Sequence, residues 1–98
     1  MKRLNPNFVV GIGGAAGALT AYKAFFEELP VTTGMAFVVI FHMNPAANNQ
    51  LASVLSRHTT MPVIVPSTGM PVRKNHVYVI PSSTDLCIER DIFKVISP

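Results

Sequence analysis

Ninety-eight residues make one small domain or part of a larger one, and hydrophobic residues at 49% against charged residues at 13% call for a packed core and exclude a disordered chain. Cys87 is the single cysteine, which excludes an internal disulfide and argues against a cysteine-based zinc site. The net charge of +3 comes from basic side chains spread in groups of at most two, without interleaved aromatics, against the dense basic face that nucleic-acid binding requires.

The chain starts with a polar lead-in whose Asn5-Pro6-Asn7 follows Lys2-Arg3 where a secretory segment would be apolar, so a cytoplasmic location is expected. No apolar run approaches the roughly 18 residues of a membrane helix. Phe8-Val9-Val10 reads as a short buried strand, and Gly11 to Gly17 as the turn after it. From Leu19 onward, Leu19, Tyr22, Phe26 and Leu29 recur in steps of three and four, giving a helix with one apolar face that Phe25 widens. Pro30 stops it. Met35 to Phe41 is apolar without alternation, the pattern of a strand covered on both faces.

Asn44-Pro45 suits the cap and first position of a second helix, on which Leu51, Val54, Leu55 and His58 share one face. Pro62-Val63-Ile64-Val65-Pro66 is a third strand, and its flanking prolines place it at a sheet edge. The order β-α-β-α-β indicates a doubly wound, mainly parallel α/β sheet. Val77–Ile80, Leu86–Ile88 and Ile92–Val95 then follow without an intervening helix, which suggests short antiparallel hairpins attached to the parallel part.

Two chemistries compete for the glycine-rich junction. Gly11-x-Gly13-x-x-Ala16 fits a loose dinucleotide fingerprint, but that fingerprint needs an acid about 20 residues on, and here the second strand ends in Ile40-Phe41-His42-Met43. A serine hydrolase of α/β type needs a nucleophile on a sharp strand-to-helix turn, a histidine base from another strand end and an orienting acid. His42 closes the second strand beside the first turn, where it serves either as the base or as a hydrogen-bonding cap of the strand end. Gly11 to Leu19 holds no Ser, Thr or Cys. Among the remaining candidates, His58 reads as a partly buried packing residue, His76 as a solvated neighbour of Arg73 and Lys74, and Cys87 as a small packing residue in a strand. Ser82 to Asp85 reads as a turn, and the three histidines lack metal-ligand spacing.

Val10-Gly11-Ile12-Gly13-Gly14-Ala15-Ala16-Gly17-Ala18-Leu19 resembles the opening of the catalytic domain of CheB-type chemotaxis methylesterases, which usually reads Gly-Ile-Gly-Ala-Ser-Ala/Thr-Gly-Gly. The resemblance continues through Leu29-Pro30, Phe37 to Met43, Leu55 to Val63, Gly69 to Val72 and His76 to Pro81. The Arg57-His58-Thr59-x-Met61-Pro62-Val63 wording is most similar to the methylesterase module of proteins fused to a CheR-type methyltransferase. It implies the N-terminal half of a doubly wound hydrolase of receptor glutamate methyl esters, with no cofactor or metal.

Carried over residue by residue, the resemblance puts the nucleophile position on Ala15, the base on His42 and an oxyanion-holding backbone amide on Ala16. It places the triad aspartate in a glycine-rich motif beyond Pro98. Ala15 therefore implies an inactive or incomplete module with a structural or regulatory role, and a site completed by another segment or chain is the alternative. The implied partners are a chemoreceptor's methylated glutamate segment and a CheR-type methyltransferase domain. A half-domain also leaves an edge of the first strand free, which predicts self-association or a partner along Phe8–Val10. Asp91 stands where the family often has a hairpin glycine, so that turn is expected to be strained or differently formed.

Overall fold

The computed structural model describes residues 8–15, 19–30, 32–42, 48–81 and 85–96. In chain order these form β1 (Val9–Ala15), α1 (Leu19–Glu28), β2 (Ala36–His42), α2 (Asn48–Ser56), β3 (Val63–Ile64), β4 (His76–Pro81), β5 (Asp85–Glu89) and β6 (Ile92–Ile96). A four-stranded sheet has the order β1-β2-β4-β3, and β5 and β6 make a separate hairpin. All pairings in the larger sheet are parallel, and the hairpin is antiparallel. No helix among the described residues is long and apolar enough to cross a membrane.

Two expectations change. The first strand does not end at Val10: it runs through the glycines to Ala15, held by a register with β2 from Val9↔Ala36 to Ala15↔His42. Gly11 is not left-handed, so this part of the glycine run forms ladder rather than turn. His76–Pro81, expected in a hairpin, instead joins the parallel sheet between β2 and β3. A long link covering residues 65–75 takes the place of a crossover helix there. The proline-flanked Val63–Ile64 does lie at the sheet edge. The proposed cap at Asn44-Pro45 and the turn residues 82–84 lie outside the described residues.

Handedness explains where the layers fall. From β1 to β2 and on to β3 the chain progresses across the sheet in one direction, so right-handed crossovers put α1 and α2 on the same face. Their Tyr22, Phe26 and Leu55 bury Phe37, Val39, Val77 and Val79, joined by Met61. From β3 back to β4 the direction reverses, and the link crosses the opposite face. There Val72 of the link and Phe93 of the hairpin bury Ala36, Val38, Tyr78 and Ile80.

Backbone hydrogen bonds fasten the link to the hairpin. Gly69 N–H donates to Phe93 C=O, Phe93 N–H to Met70 C=O, and Val72 N–H to Asp91 C=O at 2.7–2.9 Å. The link ends on Asn75, left-handed at φ 61°. Its N–H donates to Met35 C=O at 2.7 Å, and its Oδ1 accepts Gly34 N–H at 2.8 Å. Asparagine tolerates this conformation better than most residues, so it can pin the start of β4 to the start of β2.

Candidate functional site

In a parallel sheet every strand ends on the same side, and that side is where βα loops gather reactive groups. The register pairs Ala15, the last residue of β1, with His42, the last residue of β2. Phe41 is in turn paired with Pro81 at the end of β4. The two residues that the sequence separates by a full β-α-β unit are thus direct cross-strand neighbours at the carboxyl edge. Ala16, the third predicted site residue, lies outside the described residues. The chemistry of the pair is set by the sequence: one imidazole, and at position 15 a methyl group with no atom able to attack a carbonyl.

The other histidines sit at the opposite edge. His76 opens β4 opposite Ala36, the first residue of β2. It is partly buried rather than solvated, because its ring stacks on Tyr78 (centroids 6.0 Å apart, planes 15° apart) and its Nδ1 lies 2.8 Å from the Lys74 carbonyl. His58 follows the end of α2, with Nδ1 2.5 Å from Glu27 Oε1 near the end of α1. These two residues, with Phe26, Leu29, Ser56, Arg57, Thr59 and Thr60, line a cleft of about 410 Å³. α1 leaves the carboxyl edge after β1 and ends before β2 begins, so this cleft opens at the amino edge, away from Ala15 and His42. The expected partly buried histidine is partly buried, and its ring also lies within hydrogen-bond distance of the Glu27 carboxylate. Among the described residues, no three His, Cys, Asp or Glu side chains converge on a common centre.

Cys87 corrects another expectation. It is exposed on β5, while its neighbour Ile88 packs towards the hairpin core. Alternation along the strand sends Ile88 inward and therefore Cys87 outward. Sequence reasoning also passed over Tyr78, the largest fully buried side chain. Its hydroxyl accepts Arg73 N–H at 2.9 Å and donates to the Pro71 carbonyl at 3.3 Å, tying the link to β4. Desolvation raises its pKa, opposed by the Arg73 hydrogen bond and charge. A tyrosine five residues after an arginine in a proline-bearing link carries no pattern that announces such a clamp.

The model of the CheB methylesterase family matches residues 10–97, nearly the whole chain. The chain belongs to the CheB methylesterase family. Its fold also matches the crystal structure of the Thermotoga maritima CheB methylesterase catalytic domain, with a TM-score of 0.76 and 23% identity. That match covers 90% of this chain but 48% of the T. maritima chain, so these residues span about half the length of that relative. No curated protein matches the chain. Within the family fold, β1-α1-β2 supplies the carboxyl edge at which Ala15 and His42 are paired.

Proposed function

We propose that this CheB-type module acts in chemotaxis signalling in the cytoplasm as a methylesterase-like domain that does not itself hydrolyse receptor methyl esters. The observation that carries this reading is the Ala15↔His42 register. It sets a base-type residue beside the end of β1, where the family's nucleophile position falls on an alanine. His42 then has no hydroxyl to deprotonate, and removing a triad nucleophile typically lowers turnover by about a million-fold. The module's role is structural or regulatory, towards a chemoreceptor's methylated glutamate segment or an attached CheR-type methyltransferase domain. Ala16 would offer its backbone amide to an oxyanion, a feature that can bind a carboxylate or ester without turning it over.

A second reading, hydrolysis at a site completed by another segment, draws on the 48% coverage of the T. maritima domain. Incubating the purified chain with methylated receptor and measuring released methanol separates the two. The expected result is no release above background, unchanged in His42→Ala. Release that disappears in His42→Ala overturns the inactive reading. Ala15→Ser alone is expected to stay silent, because the resemblance places the orienting acid outside these residues; release by that variant would show that the nucleophile alone was missing.

A further inference from the structure

The outer face of the hairpin carries an open groove. Along β6, alternation sends Phe93 inward, where it is buried, and Ile92 and Lys94 outward. Ile92 is 44% exposed and lies across from Glu89 in the ladder. Phe93, with Gly69, Glu89, Arg90, Ile92 and Lys94, lines a groove of about 610 Å³. Gly69, at φ 91°, keeps its side of the groove open: a Cβ built there would meet nothing within 4 Å.

The backbone around this groove is already paired. β5 occupies one side of β6, and on the other Gly69 N–H donates to Phe93 C=O at 2.9 Å and Phe93 N–H to Met70 C=O at 2.8 Å. An added strand therefore has no edge of β6 to join, and recognition here falls to side chains. Their charge is mainly positive. Arg90 and Lys94 stand two residues before and two after Ile92, against the single carboxylate of Glu89. Among the described residues, no ion pair engages either cation. Arg90 is also left-handed at φ 52°, in a turn that Asn or Gly would close with less strain. What arginine adds at that position is a guanidinium beside the groove.

The order cation, apolar side chain, cation has a direct complement. In an extended peptide, side chains two residues apart share one face at the same pitch as those of β6. We propose that the groove over Ile92, flanked by Arg90 and Lys94, docks an extended acidic segment of a partner protein. An apolar side chain of that segment rests on Ile92 and fills the open space beside Gly69. A carboxylate two residues to either side of it meets Arg90 and Lys94. Opposite charge sets the direction and the choice of partner, and the apolar contact adds affinity that salt does not screen. This surface lies apart from the Ala15 and His42 strand ends and is independent of whether the module hydrolyses esters.

The test titrates the intact chain with a synthetic peptide containing Glu-Ser-Leu-Ser-Glu and follows the backbone amides by NMR. The amides of Gly69, Ile92 and Lys94 are expected to shift, while those of Val63 and Ile64, in the edge strand of the other sheet, stay in place. The same peptide with Gln or Lys in place of both Glu residues should bind at least threefold more weakly, and added salt should narrow that difference. Lys94→Glu reverses one charge at an exposed strand position and should weaken the acidic peptide by about tenfold at an unchanged melting temperature. Arg90→Asn suits the left-handed turn, so it tests the guanidinium without endangering the fold, and should weaken binding by about threefold. No shift at millimolar acidic peptide, equal affinity for the Gln or Lys peptide, or undiminished binding by both variants overturns the proposal. So do shifts confined to another face of the molecule. Ester hydrolysis enters none of these readouts.

Discussion

The two faces of the parallel sheet are covered to different extents and by different means. On the helix face, two regular crossovers place Tyr22, Phe26 and Leu55 over β2 and β4, and Val10 and Ile12 of β1 still pack against that cluster. On the other face, one irregular link and a hairpin bury Ala36, Val38, Tyr78 and Ile80, and the cover stops short of Val9 and Ile40. Helical crossovers cover a sheet by apolar area, which is non-directional and tolerant of detail. The link and hairpin are held together, and to β4, by individual hydrogen bonds. Damage to the first face should therefore scale with lost volume, and damage to the second with lost polar partners.

The largest effect is expected at Phe26. Its ring is 1% exposed and meets Phe25 and Phe37 edge-to-face, with centroids 5.2 and 5.9 Å away. Truncating such a residue to alanine removes its transfer free energy and leaves a cavity, together about 3–5 kcal/mol. Against a total stability of roughly 5–15 kcal/mol for a small domain, Phe26→Ala should leave much of the chain unfolded at 37 °C. Urea unfolding followed by circular dichroism measures this. A loss under about 1 kcal/mol would mean that the helix face is not the principal core, contrary to the scale of phenylalanine truncations in packed interiors.

Tyr78→Phe makes the matching break on the hairpin face with almost no change in volume. Arg73 N–H loses its acceptor and the Pro71 carbonyl its donor, for an expected cost of about 1–3 kcal/mol. The pH dependence has a definite sign. Desolvation raises the Tyr78 pKa above 10.0 in the folded chain, so the fold favours the neutral phenol. Its stabilising contribution is complete below the unfolded value and is lost as pH rises through the folded value. Tyr22 shifts in the same direction through its own burial. Thermal unfolding should thus show stability declining above pH 10, less steeply in Tyr78→Phe but not flat, because Tyr22 remains. An unchanged slope would assign the alkaline loss to other groups.

Legibility in the sequence follows the same division. The helix face could be read because period-3.6 spacing of Tyr22 and Phe26 and the unbroken run through Phe37 and Val39 are direct records of burial. The edge position of Val63–Ile64 was legible from its prolines, whose missing N–H groups unfit them for a central strand. The placement of β4 was not, because a parallel strand reached through an irregular link leaves no helical period to mark the crossover. The length of β1 was hidden by its glycines, which signal turns locally but here accept a ladder imposed by β2. At the candidate site, the position of His42 at a strand end beside the glycine-rich segment was legible, since parallel strands end on one side, but Ala15 was expected in a turn and instead closes β1. The pairing of His58 with Glu27 was not, because it depends on how two helices approach in space.

The smallest effect concerns the turn that closes the hairpin face. Glu89 pairs with Ile92, leaving Arg90 and Asp91 as a two-residue loop with φ of 52° and 61°. Such a loop needs positive φ at both positions, where Asn-Gly or Asp-Gly is usual and side-chain-bearing residues other than Asn and Asp are disfavoured. The turn cannot easily relax, because the Asp91 carbonyl accepts Val72 N–H at 2.7 Å and so helps hold the link. Asp91→Gly keeps that carbonyl and removes the Cβ that the left-handed conformation crowds. The relief is partly offset by the greater freedom of glycine in the unfolded chain, leaving an expected gain of about 0.5–1 kcal/mol. In a domain of this size that corresponds to a melting temperature higher by roughly 2–8 °C. Because the relief acts at the turn alone, Asp91→Gly and Phe26→Ala should combine additively, each change acting on its own face. A variant less stable than the parent would show that the Asp91 carboxylate contributes more to the hairpin than its backbone conformation costs.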